Sequence, residues 1–160
     1  MGIIANLKVY DKEVYKLDCK NKVLLEGDYW GRHFVILRYR QGHPNAYMEV
    51  LPDDWIKTQE PSEYAKEHHY DDRYDSFSGD VNGGATYYGG AYWDDKDNRT
   101  YIGWDYGHCG DYDAWFSRNS GKEDTGHKWT IIEILMDIVH AWEGFERDNR
   151  DNQSWKETSE

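Results

Sequence analysis

The chain has 160 residues, with 19 Lys and Arg against 31 Asp and Glu and a formal charge of -12; a protein this acidic is repelled by nucleic acid and by anionic membrane surfaces, which are held by Lys and Arg. Its mean hydropathy of -1.02 points toward disorder, but 8 Trp, 14 Tyr and 4 Phe point the other way, because disordered chains are poor in aromatics and each buried ring removes roughly 150–250 Å² from water. Length fits one folded domain, the apolar runs fall far short of the ~20 residues of a membrane span, and Met1 to Tyr10 has no secretory pattern. Asn6 stands where a myristoylation signal after Met1-Gly2 needs Ser or Thr. Two cysteines, Cys19 and Cys109, make no disulfide framework, so a cytosolic protein is expected.

In chain order, the first fifty residues read as strands: Ile3 to Tyr10, Val14 to Leu17, and Val23 to Leu25 after a turn at Lys20–Lys22. His33 to Tyr39 is rich in branched and aromatic residues and reads as a central strand; a turn over Gln41–Asn45 leads to a short strand from Ala46 to Leu51. Pro52 and Pro61 punctuate the next stretch, where Ser62 is placed to cap a short helix over Glu63–His69. Tyr70 to Asp80 reads as an irregular loop. Thr86-Tyr87-Tyr88 reads as a strand between glycine pairs, and Asp94–Asn98 as a hairpin tip joining Ala91-Tyr92-Trp93 to Thr100–Trp104. Thr130 and Glu133 form a capping box, with Trp129 and Ile134 as its staple, and apolar residues recur at Ile131, Leu135, Ile138, Trp142 and Phe145 with helical spacing. Gly144 is a weak position in that helix. The expected architecture is α+β: a mostly antiparallel twisted sheet, one long C-terminal helix packed on it and a short helix in the middle. Residues 1–147 form the single domain, and 148–160 a loose polar tail.

The residues that can carry chemistry crowd into Tyr101–Phe116. Asp105, His108, Cys109 and Asp111 fall within seven positions and all are metal donors, while Gly107 and Gly110 let the chain fold around an ion. The plainer alternative is a polar turn with a coincidental histidine. His43, held between Gly42 and Pro44, is the best remote partner, because a residue before proline has a constrained backbone. His33 reads as a hydrogen-bonded core residue, His68-His69 as solvated, and Cys19 as a buried thiol. No phosphate loop, nucleophile elbow, His-Glu-x-x-His pair or calcium loop is present.

Three motifs together carry a resemblance. Gly42-His43-Pro44, Asn82-Gly83-Gly84-Ala85-Thr86-Tyr87 and Tyr101-Ile102-Gly103-Trp104-Asp105-Tyr106-Gly107-His108-Cys109-Gly110-Asp111 stand in the order found in a family of small phage and prophage proteins of Gram-positive bacteria, which carry Gly-His-Pro, His-Gly-Gly-x-Thr-Tyr, an Asp-x-x-His-x-Gly-Asp segment and a C-terminal helix. The match runs from about Trp30 to Trp142. A similar streptococcal prophage protein looks like an anti-CRISPR, a zinc-containing inhibitor of the type II RNA-guided nuclease. The resemblance implies zinc held by His43, His108 and Asp111, with Asp105 behind them. Two positions depart from the family: its His-Gly-Gly histidine is Asn82, and a cysteine is Tyr106. Cys109 is extra, and is the candidate replacement ligand.

On this reading the acidity has a use. A CRISPR effector holds nucleic acid with Lys and Arg, and an acidic protein binds such a surface in place of nucleic acid. The expected partner is a bacterial type II CRISPR effector nuclease, with no direct nucleic acid, no membrane and a monomeric inhibitor acting in the host cytoplasm. Tyr87, Tyr88 and Trp93, beside Asp94, Asp95 and Asp97, are the expected contact residues. Two other classes stay open: a metal-dependent counter-defence hydrolase of a nucleotide signal, and a protein that sequesters such a nucleotide through Arg32, Arg38 and Arg40.

Overall fold

A computed structural model describes residues 3–122 and 124–159, with residues 153–159 described by their backbone alone. Met1, Gly2 and the Trp155 side chain, which entered the sequence reading, lie outside the described residues. The fold is α+β, as expected. Six strands, β1 (Ile4–Val9), β2 (Lys22–Tyr29), β3 (Arg32–Arg38), β4 (Pro44–Val50), β5 (Tyr87–Gly90) and β6 (Thr100–Asp105), form one antiparallel sheet in the order β1-β2-β3-β4-β6-β5. The short helix α1 (Glu63–Glu67) begins at Ser62, whose hydroxyl accepts from the Ala65 N–H.

The long helix α3 (Ile131–Ser159) crosses one face. Its start is the predicted capping box: Thr130 Oγ1 accepts from the Glu133 N–H at 3.3 Å, and Glu133 Oε1 accepts from the Thr130 N–H at 2.9 Å. Ile134, Ile138, Ala141 and Phe145 meet Leu24, Phe34, Ile36, Met48 and Trp104 in the main core. Residues alternate along a strand, so Val35 and Leu37 fall on the other face, under Tyr47, Tyr101 and Trp93. Gly144 lets α3 approach the loop before β5, since a Cβ there would lie 2.5 Å from Gly79 Cα.

Four expectations change. Residues 148–159 are helix, not a loose tail, because polar side chains tie the first of them down: Asp148 accepts from the Ser78 N–H at 3.2 Å, and Asn149 Oδ1 from the Trp55 N–H at 2.8 Å. Val14–Leu17 is an irregular strap rather than a strand: the Leu17 carbonyl accepts from Arg118 at 3.5 Å and the Tyr15 hydroxyl from the Trp129 N–H at 3.0 Å. Ala91–Trp93 belongs to the turn between β5 and β6, because Gly90 already pairs with Thr100. Cys19 is exposed rather than buried, at a positive φ of 60°. A second helix, α2 (Ala114–Ser120), was not anticipated; Asp113 caps it by accepting from the Phe116 N–H, and Gly121 ends it with φ 71°.

Candidate functional site

The three motifs meet at one end of the sheet. Asn45 pairs with Asp105 in the β4–β6 ladder, and the Tyr106 N–H donates to the Pro44 carbonyl at 3.1 Å. That register carries His43, just before β4, to the turn just after β6: a Cβ on Gly107 would sit 2.8 Å from His43 Nε2. The middle motif closes the group. Gly83 has φ 69°, which favours glycine, and its missing Cβ would lie 2.5 Å from the His108 ring. A cleft of about 1040 Å³ runs from His43 past His108 and Cys109 to Trp115 and Phe116 on α2.

A buried hydrogen-bond network supports this corner. Tyr106, fully buried, donates to Asp137 Oδ2 on α3 at 2.6 Å and accepts from Trp104 Nε1 at 2.9 Å. Burial, and then the Asp137 carboxylate, push the Tyr106 phenol well above its ordinary pKa, so it stays a donor. Asp137 Oδ2 also accepts from the Asn82 N–H at 3.2 Å. Asn82 Nδ2 then donates to Asp111 Oδ2 at 3.2 Å, and Trp129 Nε1 donates to Asp111 Oδ1 at 2.7 Å. Of this network, Trp129 and Asp137 are legible in sequence only as residues of the helix and its staple.

The metal donors expected from the sequence divide. His108 Nδ1 is buried without a hydrogen-bond partner, and lies 3.3 Å from Asp105 Oδ1 and 3.7 Å from Asp111 Oδ2. His43 borders the same cleft, and Cys109 is exposed on its rim. The chemistry of these donors does not fit a closed zinc cage. The Asp111 side chain is only 8 % exposed, and its oxygens already face the Asn82 amide, the His108 N–H at 2.9 Å and the Trp129 indole. Asn82 turns its side-chain N–H groups toward Asp111 and the Asp105 carbonyl, and Tyr106 points away into α3. Among the described residues, no group of three or more His, Cys, Asp or Glu side chains is arranged to hold a metal ion.

The expected contact residues divide as well. Asp94 and Asp95 are exposed, and Tyr87 and Trp93 are half-buried beside them. Tyr88 is buried, with the Arg73 guanidinium 4.5 Å from its ring centre, so it is part of the core and is withdrawn from the contact surface. Asp97 serves the turn: it accepts from Tyr101 Oη at 2.6 Å and from the Arg99 N–H at 3.0 Å. Burial raises its carboxyl pKa, but these donors and the Arg99 charge win and hold it below the usual value. One residue that sequence reasoning missed is Asn45, which with Tyr92 lines a second cavity next to the cleft.

Two of the three arginines proposed for a phosphate, Arg32 and Arg38, are occupied, while Arg40 is exposed beside the Tyr39 ring. Arg32 makes a two-pronged pair with Asp54, both N···O distances 2.6 Å, inside the protein. Arg38 is 1 % exposed and donates to the Glu13 carbonyl at 2.6 Å and to Asp18 at 3.1 Å. His33 is the core residue expected, between Asp28 at 2.8 Å and Glu26 at 3.1 Å. No helix is long and apolar enough to cross a membrane among the described residues.

Fold and site together define an α+β domain with a polar cleft at one end of an antiparallel sheet. Compared with known protein families, curated proteins and solved structures, the chain gives no match.

Proposed function

We propose that this chain is a phage-encoded inhibitor that binds a nucleic-acid-handling enzyme of its bacterial host, a type II CRISPR effector nuclease in the finer reading, and blocks it stoichiometrically. The observation that carries it is the charge distribution. The chain holds 12 more acids than bases, and two of its arginines, Arg32 and Arg38, are turned inward. What faces solvent beside the half-buried aromatics Tyr87 and Trp93 is a turn with exposed Asp94 and Asp95 next to exposed Lys96 and Arg99, on a chain that is acidic as a whole. Such a surface complements a groove built for phosphates and draws it in over long range. The motif order shared with phage proteins supports the nuclease as partner. Zinc has no step in this reading.

A cleavage assay tests it. Target-DNA cutting by a type II RNA-guided nuclease falls to its floor at one inhibitor per enzyme, and inhibition weakens as salt screens the charges. Normal cleavage with the chain in excess overturns the reading. The 1040 Å³ cleft bordered by His43 and His108 favours a hydrolase as the second reading, and that reading requires action at far less than one chain per target.

A further inference from the structure

The second cavity, about 510 Å³, opens between the start of β4 and the β5–β6 hairpin. Its wall is tyrosine. Tyr47, Tyr87 and Tyr92 stand edge to face, with ring centres 5.5, 5.8 and 5.6 Å apart and interplanar angles of 87°, 78° and 71°. The Tyr47 and Tyr92 hydroxyls are hydrogen-bonded to each other. Burial raises the pKa of all three phenols, so the wall is uncharged at neutral pH. Asp105 brings a carboxylate, and no Lys or Arg is among the described residues that line the space.

Asn45 shows what the cavity lacks. It is 8 % exposed and lines the same space. Its Nδ2 donates to Tyr47 Oη at 3.1 Å, while its Oδ1 is buried with no partner. A buried acceptor left alone is destabilising, and a donor entering the cavity relieves it. Aromatic faces, a carboxylate and an orphaned acceptor together call for a flat cation rich in N–H groups. A guanidinium is planar, carries five N–H donors, stacks on aromatic rings and is more weakly hydrated than an ammonium.

We propose that this cavity is the seat for an arginine side chain of the protein partner, with the guanidinium against the tyrosine faces and its N–H groups on Asn45 Oδ1 and Asp105. The partner's arginine deepens the inhibitor reading and rests on it; the seat itself does not.

The two are tested separately. Isotope-labelled protein is titrated with N-acetyl-arginine N-methylamide and with its neutral citrulline counterpart, following the Asn45 side-chain amide and the backbone of residues 86–92 by NMR. The arginine probe shifts these resonances saturably and binds at least about five-fold tighter than citrulline, as a cation on aromatic faces should. Tyr92→Ala, at a half-exposed ring, and Asp105→Asn each weaken the arginine probe at least about three-fold, with the native spectrum retained elsewhere. Equal response to both probes, shifts outside the cavity, or indifference to Tyr92→Ala overturns the seat. Probe binding without nuclease inhibition overturns the inhibitor reading alone, and inhibition undiminished by Tyr92→Ala overturns the partner's arginine alone.

Discussion

Asp54 accepts from Arg32, Leu51 and Asn149, and its removal gives a calculable loss. Asp54→Ala strips both 2.6 Å acceptors from Arg32, a side chain 3 % exposed. It also frees the Leu51 N–H, now 2.6 Å from Asp54 Oδ2, and the Asn149 amide, now 2.9 Å from Oδ1. Leaving one member of a buried ion pair alone costs about 3–5 kcal/mol. Arg32 keeps the Glu49 carbonyl at 3.1 Å and the Phe145 ring at 4.0 Å, which holds the loss within that range rather than above it. For a chain of this length about 2–4 °C is lost per kcal/mol, so the melting temperature falls by roughly 6–20 °C. Urea unfolding read by tryptophan fluorescence, with a thermal melt beside it, measures both. The double replacement Arg32→Met with Asp54→Leu recovers most of the loss, because an apolar pair of similar volume removes the stranded charge. A loss below about 1 kcal/mol for Asp54→Ala refutes the reasoning.

Other outcomes follow from the same structure. Gly83→Ala forces a Cβ to within 2.5 Å of the His108 ring at φ 69°; a loss of about 1–3 kcal/mol and a displaced His108 imidazole signal are expected, and an unchanged signal counts against the convergence of the motifs. Asp11 has its carboxyl lowered to about 2, mainly by the Glu13 N–H, with Lys22 and Arg38 adding to it against partial desolvation. Since its folded pKa lies below the ordinary 3.8, its contribution is present above that pH and disappears as pH falls toward 2. The stability gap between wild type and Asp11→Asn should close over that window in an acid titration; a gap that stays constant refutes the assignment. Elemental analysis should find less than one zinc per chain, and chelation should leave the melt unmoved, because hydrogen bonds from Asn82 and Trp129 already occupy Asp111. A full equivalent of zinc, lost together with the fold on chelation, shows that the donors rearrange around the ion.

The helix α3 and the strand β3 were legible because their patterns are strong: a capping box before a 3.6-residue stripe, and an unbroken run of branched residues. The strap at Val14–Leu17 was not, because its apolar pattern resembles a strand while its hydrogen bonds go to Arg118 and Trp129, distant in sequence. The extension of α3 past Arg147 escaped for the same kind of reason; a polar run reads as solvated unless Ser78 and Trp55, distant in sequence, are known to be its partners. At the site, local density of His, Asp and Gly pointed to a segment that lines the cleft. It did not show that Asn82 would face Asp111, or that Tyr88 would be buried while Tyr92 lined a cavity, because those depend on which face of a neighbouring strand each residue meets.

The strand order has a consequence for how the molecule comes into being. β1 to β4 are neighbours in both chain and sheet and zip together as a meander through local contacts. β6 must then find β4 across the long excursion that holds α1 and β5, and pairings between remote segments are the slow ones. Until it docks, β4 is a raw edge carrying Tyr47 and Met48, open to another chain. His43 and Asn45, on one segment, stay apart from Asp105 and His108, on the other, throughout that interval. The second cavity, walled by the start of β4 and the β5–β6 hairpin, is complete only once β6 has docked, so a change that slows that docking leaves both the cavity unformed and an edge exposed.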